Sequence, residues 1–317
     1  MDRQLSDAPS NPCNDYGTIG SVAFSVGGIS VRLASYESFG IGLGSLLEPF
    51  CAAARNPVIR IDVHWVDSLH TSAHSSSFDS GAIWRLYDAG AEYQFDFNAP
   101  VFGEKPYKRL FVDKQFRHAN LEMAESSLEY ASYQLTPLEY PLDELLIMHR
   151  LTQERAIELH GTGIVRANGI ATLFVGHSGA GKSTTTRLWT SREEVEVLSD
   201  DRIIVRLDDG RDGPAGPAGM RMYGTPWHGE AMFASPNSAP LTRIFILEHG
   251  RGNVITRLTR SHAVGELFAR AFVPFHRHEY IDNALSFLDQ LVSSVPCYRY
   301  SFEPDERAVE KVLHFQD

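Results

Sequence analysis

The sequence predicts an α/β protein in which a β-rich N-terminal domain precedes a domain organised around a glycine-rich phosphate-loop motif. Short apolar runs broken by Gly, Pro, Ser and Asn continue to about residue 125. Strands alternating with helices follow, and the glycine-rich motif lies between one such strand and helix. We therefore expect a flexible arm at 1–19, the β-rich domain at 20–135 and the phosphate-loop domain at 136–317.

The N-terminal domain is predicted to be mostly antiparallel. Its expected strands are SVAFSV, ISVRLASY, VIRIDVHWV, AIWRLY, YQFDF and RLFVD. The pattern changes at YPLDELLIMHRLTQ, where apolar residues fall on one helical face and Asp143 and Glu144 suit the start of a helix. This change places the domain boundary near 125–140.

The second domain is predicted to begin with a strand pair. AIELHGTGIVRA and ATLFVG are two apolar strands separated by Asn168-Gly169, a dipeptide that tolerates the positive φ angles of a tight hairpin. The remaining expected elements are a helix from Gly181 to about Trp189, strands VEVLSD, RIIVRL, RIFILEH and NVITRLT, a loop at DDGRDGPAGPAG, and helices at about 262–272, 279–294 and 304–314.

The composition excludes several classes of protein. With 29 Lys and Arg against 40 Asp and Glu, the formal charge of −11 disfavours a nucleic-acid partner. No uncharged apolar run is long enough to span a bilayer, so we expect no membrane partner. Cys13, Cys51 and Cys297 are far apart and odd in number, which suggests three reduced thiols in a cytoplasmic protein.

The segment GHSGAGKST satisfies the phosphate-loop pattern G-x-x-x-x-G-K-[ST]. Glycines let the backbone turn so that successive N–H groups point at phosphates, and the helix N-terminus adds partial positive charge. Lys182 can reach the β and γ phosphates of ATP, and the Ser183 hydroxyl can bind Mg²⁺. The predicted nucleotide-binding residues are Gly176, His177, Ser178, Gly179, Ala180, Gly181, Lys182, Ser183 and Thr184.

Two adjacent acids follow the strand VEVLS, only 18 to 19 residues after Lys182. A strand-loop-helix-strand unit brings Asp200 and Asp201 back beside the loop, where a carboxylate can hold the metal directly or through water. Adjacent residues on a strand point to opposite sides, so one acid can bind metal while the other accepts a proton from the attacking hydroxyl. The sequence does not say which acid does which, and the alternative is that the pair only caps a turn.

Three elements in order, ELHGTGI, GHSGAGKSTTTRLW and LSDDR, resemble the catalytic domain of the HPr kinase/phosphorylase family, whose phosphate-loop fold is shared with phosphoenolpyruvate carboxykinases. The resemblance covers about 140–317. It implies that His160 lies near the phosphates, that Lys182 and Ser183 hold them with magnesium, and that the Asp200-Asp201 pair supplies metal binding and the base. It also implies an ATP-dependent kinase acting on a serine hydroxyl, and a homo-oligomer.

The chain departs from that family in three places. Thr184 stands where the family's regulatory kinases carry an acidic residue, YGTPWHGE replaces their Arg-Gly-rich motif, and the N-terminal domain is of another kind. Residues 221–300 are instead similar to HPr-kinase-related proteins of peptide-modification clusters. The acceptor therefore stays open among a protein, a peptide and a small molecule that carries a hydroxyl.

Three further residues are candidates for substrate contact. His228 and Glu230 lie in the irregular segment MYGTPWHGE, a kind of loop that often meets a substrate. The alternative is that Trp227 fills the core and its neighbours make local hydrogen bonds. Arg277 is a candidate for neutralising the transferring phosphoryl group. His160, taken alone, is more often a structural histidine than a catalytic one, and its place beside the loop and the resemblance make it a catalytic candidate.

These features predict an ATP- and Mg²⁺-dependent kinase for a hydroxyl acceptor. A second hypothesis is a nucleotide-gated binding module or an accessory protein for peptide modification, without phosphotransfer. Carboxykinase-type chemistry on a small acid is a third.

Overall fold

The computed structural model of the chain describes residues 20–36, 41–72, 74–125, 136–208 and 219–316. The predicted arm at 1–19 and most of the predicted loop DDGRDGPAGPAG, residues 209–218, lie outside the described residues. The chain divides into two compact units, and the division falls between Glu139 and Tyr140. Each unit contains a large mixed sheet, so the chain is mixed α/β.

The first unit contains an eight-stranded sheet with the spatial order β1-β2-β3-β8-β7-β6-β5-β4. Most of its pairings are antiparallel, but β3 lies parallel to both β2 and β8. The strands are β1 Gly20–Val26, β2 Ile29–Ser35, β3 Ile59–Val66, β4 Phe78–Asp79, β5 Trp84–Ala89, β6 Glu92–Phe97, β7 Lys108–Asp113 and β8 His118–Ala124.

The second unit contains a nine-stranded sheet and the five α-helices found among the described residues. Its strands are β9 Ala156–Arg166, β10 Ala171–Val175, β11 Val195–Ser199, β12 Arg202–Asp208, β13 Gly219–Tyr223, β14 Ser238–His249, β15 Val254–Arg257, β16 Ala271–Phe272 and β17 Cys297–Phe302. Its helices are α1 Leu142–Leu151, α2 Lys182–Arg192, α3 Arg260–Phe268, α4 His278–Ser294 and α5 Glu306–Leu313.

Strand β9 is the strand that joins the elements next to the predicted site residues. It pairs antiparallel with β10, β11, β12 and β16. β10 continues into a parallel pairing with β14, which is itself parallel to β17. His160 on β9, Gly176 directly after β10 and Asp201 directly before β12 are therefore placed by strands of one sheet.

Two apolar clusters cover opposite faces of this sheet, as the alternation of side chains along β10 shows. Ala171, Leu173 and Val175 belong to a cluster that includes residues of α3 and α4, whereas Phe174 belongs to a cluster that includes residues of α2 and α5. Successive residues of a strand point to opposite faces, so β10 is buried on both sides. The glycine-rich loop thus leaves a strand that is held from both faces.

Two expectations are corrected. The helix expected at about 262–272 ends at Phe268, and residues 271–272 instead form β16, which pairs with β9. Cys297 is a free, buried thiol, but Cys51 is disulfide-bonded, so the expectation of three reduced thiols is wrong. The cysteines therefore give no argument for a reducing compartment. Cys13 lies outside the described residues.

Candidate phosphate-binding site

The glycine-rich loop connects the end of β10 to the start of α2 through residues 176–181. Gly179 and Gly181 have φ angles of +79° and +99°, a region that favours glycine. At Gly181 a Cβ atom would lie 2.4 Å from Cζ of Phe302, so neither the backbone nor the packing leaves room for a side chain. These two glycines give the loop its turn, and α2 starts directly after the second.

Lys182 folds back into the turn of the loop. Its Nζ donates hydrogen bonds to the backbone carbonyls of Gly176, at 3.1 Å, and His177, at 3.2 Å. Burial lowers the pKa of this ammonium, as do the charges of Arg202 and Arg270, against the opposing effect of Asp201. The ammonium is thus held within the loop, on the side where an anion would be received.

The first turn of α2 is fixed to the sheet by a chain of hydroxyl groups that the sequence analysis missed. Oγ1 of Thr186 lies 3.0 Å from Oγ1 of Thr162 on β9 and donates to the carbonyl of Lys182. Thr162 in turn donates to the carbonyl of Ser199 at the end of β11. Both threonines are fully buried. The chain therefore ties the loop, α2 and the strand before the two aspartates into one rigid frame.

His160, in the middle of β9, and Asp201, just before β12, form a hydrogen-bonded pair. Nε2 of His160 lies 2.8 Å from Oδ1 of Asp201, and the other carboxylate oxygen accepts from Arg202. Burial raises the pKa of Asp201, but the hydrogen bond from His160 and the charges of Arg202 and Lys182 outweigh it, so the net pKa is lowered. Asp201 is therefore an ionised carboxylate, half-buried and within electrostatic reach of the loop.

Asp200 has a different environment from its neighbour. Its side chain is 1 % exposed, and its two oxygens accept hydrogen bonds from the backbone N–H groups of Gly229, Ala231 and Phe233 at 2.8 to 3.2 Å. Because these donors lie in one segment, the carboxylate acts as an anchor for it. The structure thus separates the adjacent acids into one that holds a loop and one that faces the glycine-rich loop.

The anchored segment carries the predicted substrate residues His228 and Glu230. His228 is half-buried, with Nδ1 3.1 Å from the carbonyl of Gly229, and Glu230 is exposed. Trp227 is buried and donates from Nε1 to Asp143. The segment is therefore held by a buried tryptophan and a buried carboxylate, with Glu230 exposed and His228 half-buried.

Of two arginines in the region after α3, Arg270 rather than Arg277 influences the loop. Arg277 pairs with Glu279 and lies over the ring of Tyr280 at the start of α4. The backbone carbonyl of Arg270 accepts a hydrogen bond from the N–H of His160. The positive charge of the Arg270 guanidinium is the largest cause of the lowered pKa of His177 in the loop. Sequence inspection had no signal for Arg270, because its position depends on β16 pairing with β9.

The remaining predicted loop residues are placed along the turn. His177, Ser178 and Gly179 are exposed, whereas Ala180, Ser183 and Thr184 are half-buried. Nε2 of His249, at the end of β14, lies 2.7 Å from the carbonyl of Gly179. The exposed apex of the loop is thus tied to the end of β14.

A magnesium ion at this site would need oxygen ligands from the protein. Within the part of the chain that the structure describes, no group of three or more His, Cys, Asp or Glu side chains could hold a metal by itself. Asp201 and Ser183 nevertheless offer the hard oxygen donors that Mg²⁺ prefers. Both oxygens of Asp201 are also engaged, by His160 and Arg202, so a cation here would take most of its ligands from phosphates and water.

No protein-family model matches the chain, and no curated protein matches it. None of the helices within the described ranges has the length and apolar character to cross a bilayer. The site must therefore be interpreted from its own geometry.

Proposed function

We propose that this chain is an ATP- and magnesium-dependent phosphotransferase that moves the γ-phosphoryl group to a hydroxyl acceptor. The observation that carries the proposal is the conformation of the glycine-rich loop: Gly179 and Gly181 turn the backbone, and Nζ of Lys182 folds back onto the carbonyls of Gly176 and His177. A buried ammonium at the start of a helix, with the ionised carboxylate of Asp201 within electrostatic reach, suits a triphosphate and its cation. The proposed fold is a P-loop domain of the HPr kinase/phosphoenolpyruvate carboxykinase type.

The loop supports nucleotide binding through groups that are already in position. Backbone N–H groups at the start of α2 and the ammonium of Lys182 provide positive charge on one side of the turn. The hydrogen bonds from Lys182 to the carbonyls of Gly176 and His177 are ones that phosphate oxygens can replace. Oxygens that carry negative charge are stronger acceptors than carbonyls, so the exchange favours the bound nucleotide.

Asp201 and Ser183 are the residues that would hold magnesium. The carboxylate of Asp200 is buried and anchors a backbone segment, whereas that of Asp201 is half-buried and within electrostatic reach of Lys182, so Asp201 is the acid proposed for this role. When bound, the cation neutralises the phosphates and supplies positive charge where the transferring group develops negative charge.

Proton transfer in the proposed reaction also falls to Asp201. Its lowered pKa keeps the carboxylate ionised at neutral pH, so it can accept a hydrogen bond from a hydroxyl group and orient it. A weak base suffices because the transition state of phosphoryl transfer is largely dissociative and the nucleophile loses its proton late. His160 fixes the carboxylate through Oδ1 and supplies a second polar group at the same place.

The segment held by Asp200 is the proposed contact surface for the acceptor. It carries the exposed Glu230 and the half-buried His228, and Asp200 is adjacent in sequence to the proposed base. A protein, a peptide or a small molecule with a hydroxyl group is the acceptor class, because this surface is polar and open. The two charged or titratable groups favour an acceptor with polar neighbours around the hydroxyl.

The test is transfer of label from γ-labelled ATP with magnesium, using cell extract and serine-containing peptides as acceptors. The wild type should label an acceptor, and Asp201→Asn should lose the labelling. Asp289→Asn is a matched control, because it removes an ion-paired carboxylate that is exposed on α4. Tight nucleotide binding with no label in any acceptor would instead support the nucleotide-gated binding module.

A further inference from the structure

Arg202 is the first residue of β12 and lies directly across from His160 in the pairing of β12 with β9. Its guanidinium donates from Nη1 to Oδ2 of Asp201 and from Nε to Oε1 of Glu144 on α1, at 2.8 Å. It also lies 4.0 Å above the ring of Phe272. Three elements therefore fix one side chain, and that side chain holds Asp201.

From these contacts we propose that Glu144, acting through Arg202, is a positioning residue for Asp201. The inference rests on the proposed function, in which Asp201 is the reacting carboxylate. His160 holds one oxygen of Asp201 and Arg202 holds the other, so the orientation of the carboxylate depends on both partners. Glu144 determines which N–H donors of Arg202 can reach Asp201, because it already accepts a hydrogen bond from Nε.

The reason lies in the geometry of a guanidinium group. Arginine presents its donors as a planar fork and readily binds one carboxylate with two parallel hydrogen bonds. Here Glu144 holds Nε and thereby fixes the orientation of the guanidinium, and Asp201 receives a donor from Nη1. Without Glu144, the guanidinium of Arg202 would rotate and donate two hydrogen bonds to the carboxylate of Asp201. It would then compete with His160 and occupy the oxygen lone pairs that a hydroxyl group or cation needs.

Glu158 shows why Glu144 alone fills this role. Glu158 is also near Arg202, with 3.7 Å between Nε and Oε1, but this exceeds hydrogen-bonding distance, and neither carboxyl oxygen of Glu158 receives a hydrogen bond. Its side chain is fully buried beside the negative charge of Glu144, which raises its pKa well above the usual range. Burial and the neighbouring negative charge thus disfavour the ionised form of Glu158, and its distance from Arg202 leaves Glu144 as the hydrogen-bonded counter-ion.

The test measures the ¹⁵N resonance of the His160 ring, because the hydrogen bond to Asp201 affects it and no nucleotide is required. In protein labelled with ¹⁵N-histidine, Glu144→Ala should move the Nε2 resonance of His160, whereas Glu144→Gln, which keeps an oxygen for Nε of Arg202, should restore most of the wild-type position. Glu154→Ala is the matched control. Glu154 is the ion-pair partner of Arg206, on the same strand as Arg202, and its removal should leave the His160 signal in place.

Activity supplies the second readout, with magnesium-ATP and water as the acceptor. Glu144→Ala should lower kcat about tenfold or more with little change in the KM for ATP, since a small misplacement of a catalytic group can cost up to about 100-fold. An unchanged His160 signal in both Glu144 variants overturns the inference. A wild type that neither binds nor hydrolyses ATP overturns the proposed function instead, and the resonance of His160 still tests the positioning.

Discussion

Nε2 of His160 lies 2.8 Å from Oδ1 of Asp201, although 41 residues separate them in the chain. The contact exists because Arg202 pairs across from His160 between β12 and β9, and Asp201 is the residue just before that pair. The same strand β9 also pairs with β10, which leads into the glycine-rich loop. One strand thus brings the histidine, the acid and the loop together.

The two adjacent aspartates should respond differently to mutation. Asp200→Ala removes the acceptor of three backbone N–H groups in a buried place, so it should lower the free energy of unfolding by roughly 3 kcal/mol or more. Asp201→Asn keeps the shape of a half-buried side chain and should change stability far less while abolishing transfer. Urea denaturation of both variants checks this, and equal stability losses would contradict the separation of roles.

Gly181 should be far less tolerant of a side chain than another glycine in the same left-handed region. Gly181→Ala would place its Cβ 2.4 Å from the ring of Phe302 at a φ of +99°. Gly169, in the hairpin between β9 and β10, has a φ of +81° and nothing near its Cβ, so Gly169→Ala should cost only about 1–2 kcal/mol. Thermal denaturation should rank Gly181→Ala clearly below Gly169→Ala, and equal melting temperatures would refute the packing argument.

Sequence patterns identified the elements that carry strong local signals. The helix at 142–151, the hairpin at Asn168-Gly169 with its strands β9 and β10, and the start of α2 were predicted close to their observed positions. Apolar periodicity and turn chemistry are local properties, so these elements could be read from the residues themselves. The glycine-rich motif was found in the same way.

Long-range relationships could not be predicted. Strand β16 is two residues long and exists only because it pairs with β9, and the same pairing brings Arg270 near the loop. The adjacent acids look equivalent in sequence, yet only the return of the segment after Trp227 supplies the donors that engage Asp200. The network of Glu144, Glu158 and Arg202 joins α1, β9 and β12, and no spacing in the chain reveals it.

Glu158 should make stability fall as pH rises. Its pKa in the folded state lies well above 4.5 because of burial and the negative charge of Glu144. A raised folded pKa contributes stability that is fully present below about pH 4.5 and is lost as pH rises through the folded pKa, with a slope of up to about 1.4 kcal/mol per pH unit. Glu158→Gln mimics the neutral acid, so it should gain stability relative to wild type between pH 5 and pH 8.

Parallel pH series of urea denaturation for wild type and Glu158→Gln measure this difference. A constant gap between the two proteins across the series would show that Glu158 is ionised throughout.

Arg270 should control the charge state of His177. Its guanidinium is the largest cause of the lowered pKa of His177, ahead of burial. Arg270→Met should therefore raise that pKa toward 6.5, the ordinary value, whereas Arg277→Met should leave it in place because Arg277 is paired with Glu279 on α4. Titration of the His177 ring by NMR distinguishes them. A larger change in the pKa of His177 in the Arg277 variant would show that Arg277, the candidate predicted from the sequence, is the arginine that acts on the loop.

The most direct test of the account is titration calorimetry of the whole chain with ATP in the presence of magnesium. The wild type should bind with a dissociation constant in the micromolar range. Lys182→Ala should lose most of that affinity, because it removes the ammonium proposed to bind the triphosphate. Gly169→Ala is the control and should bind ATP like the wild type, because it keeps Lys182. Absence of heat from the wild type with ATP or GTP at millimolar concentration would contradict the phosphate-binding site and the proposed transfer together.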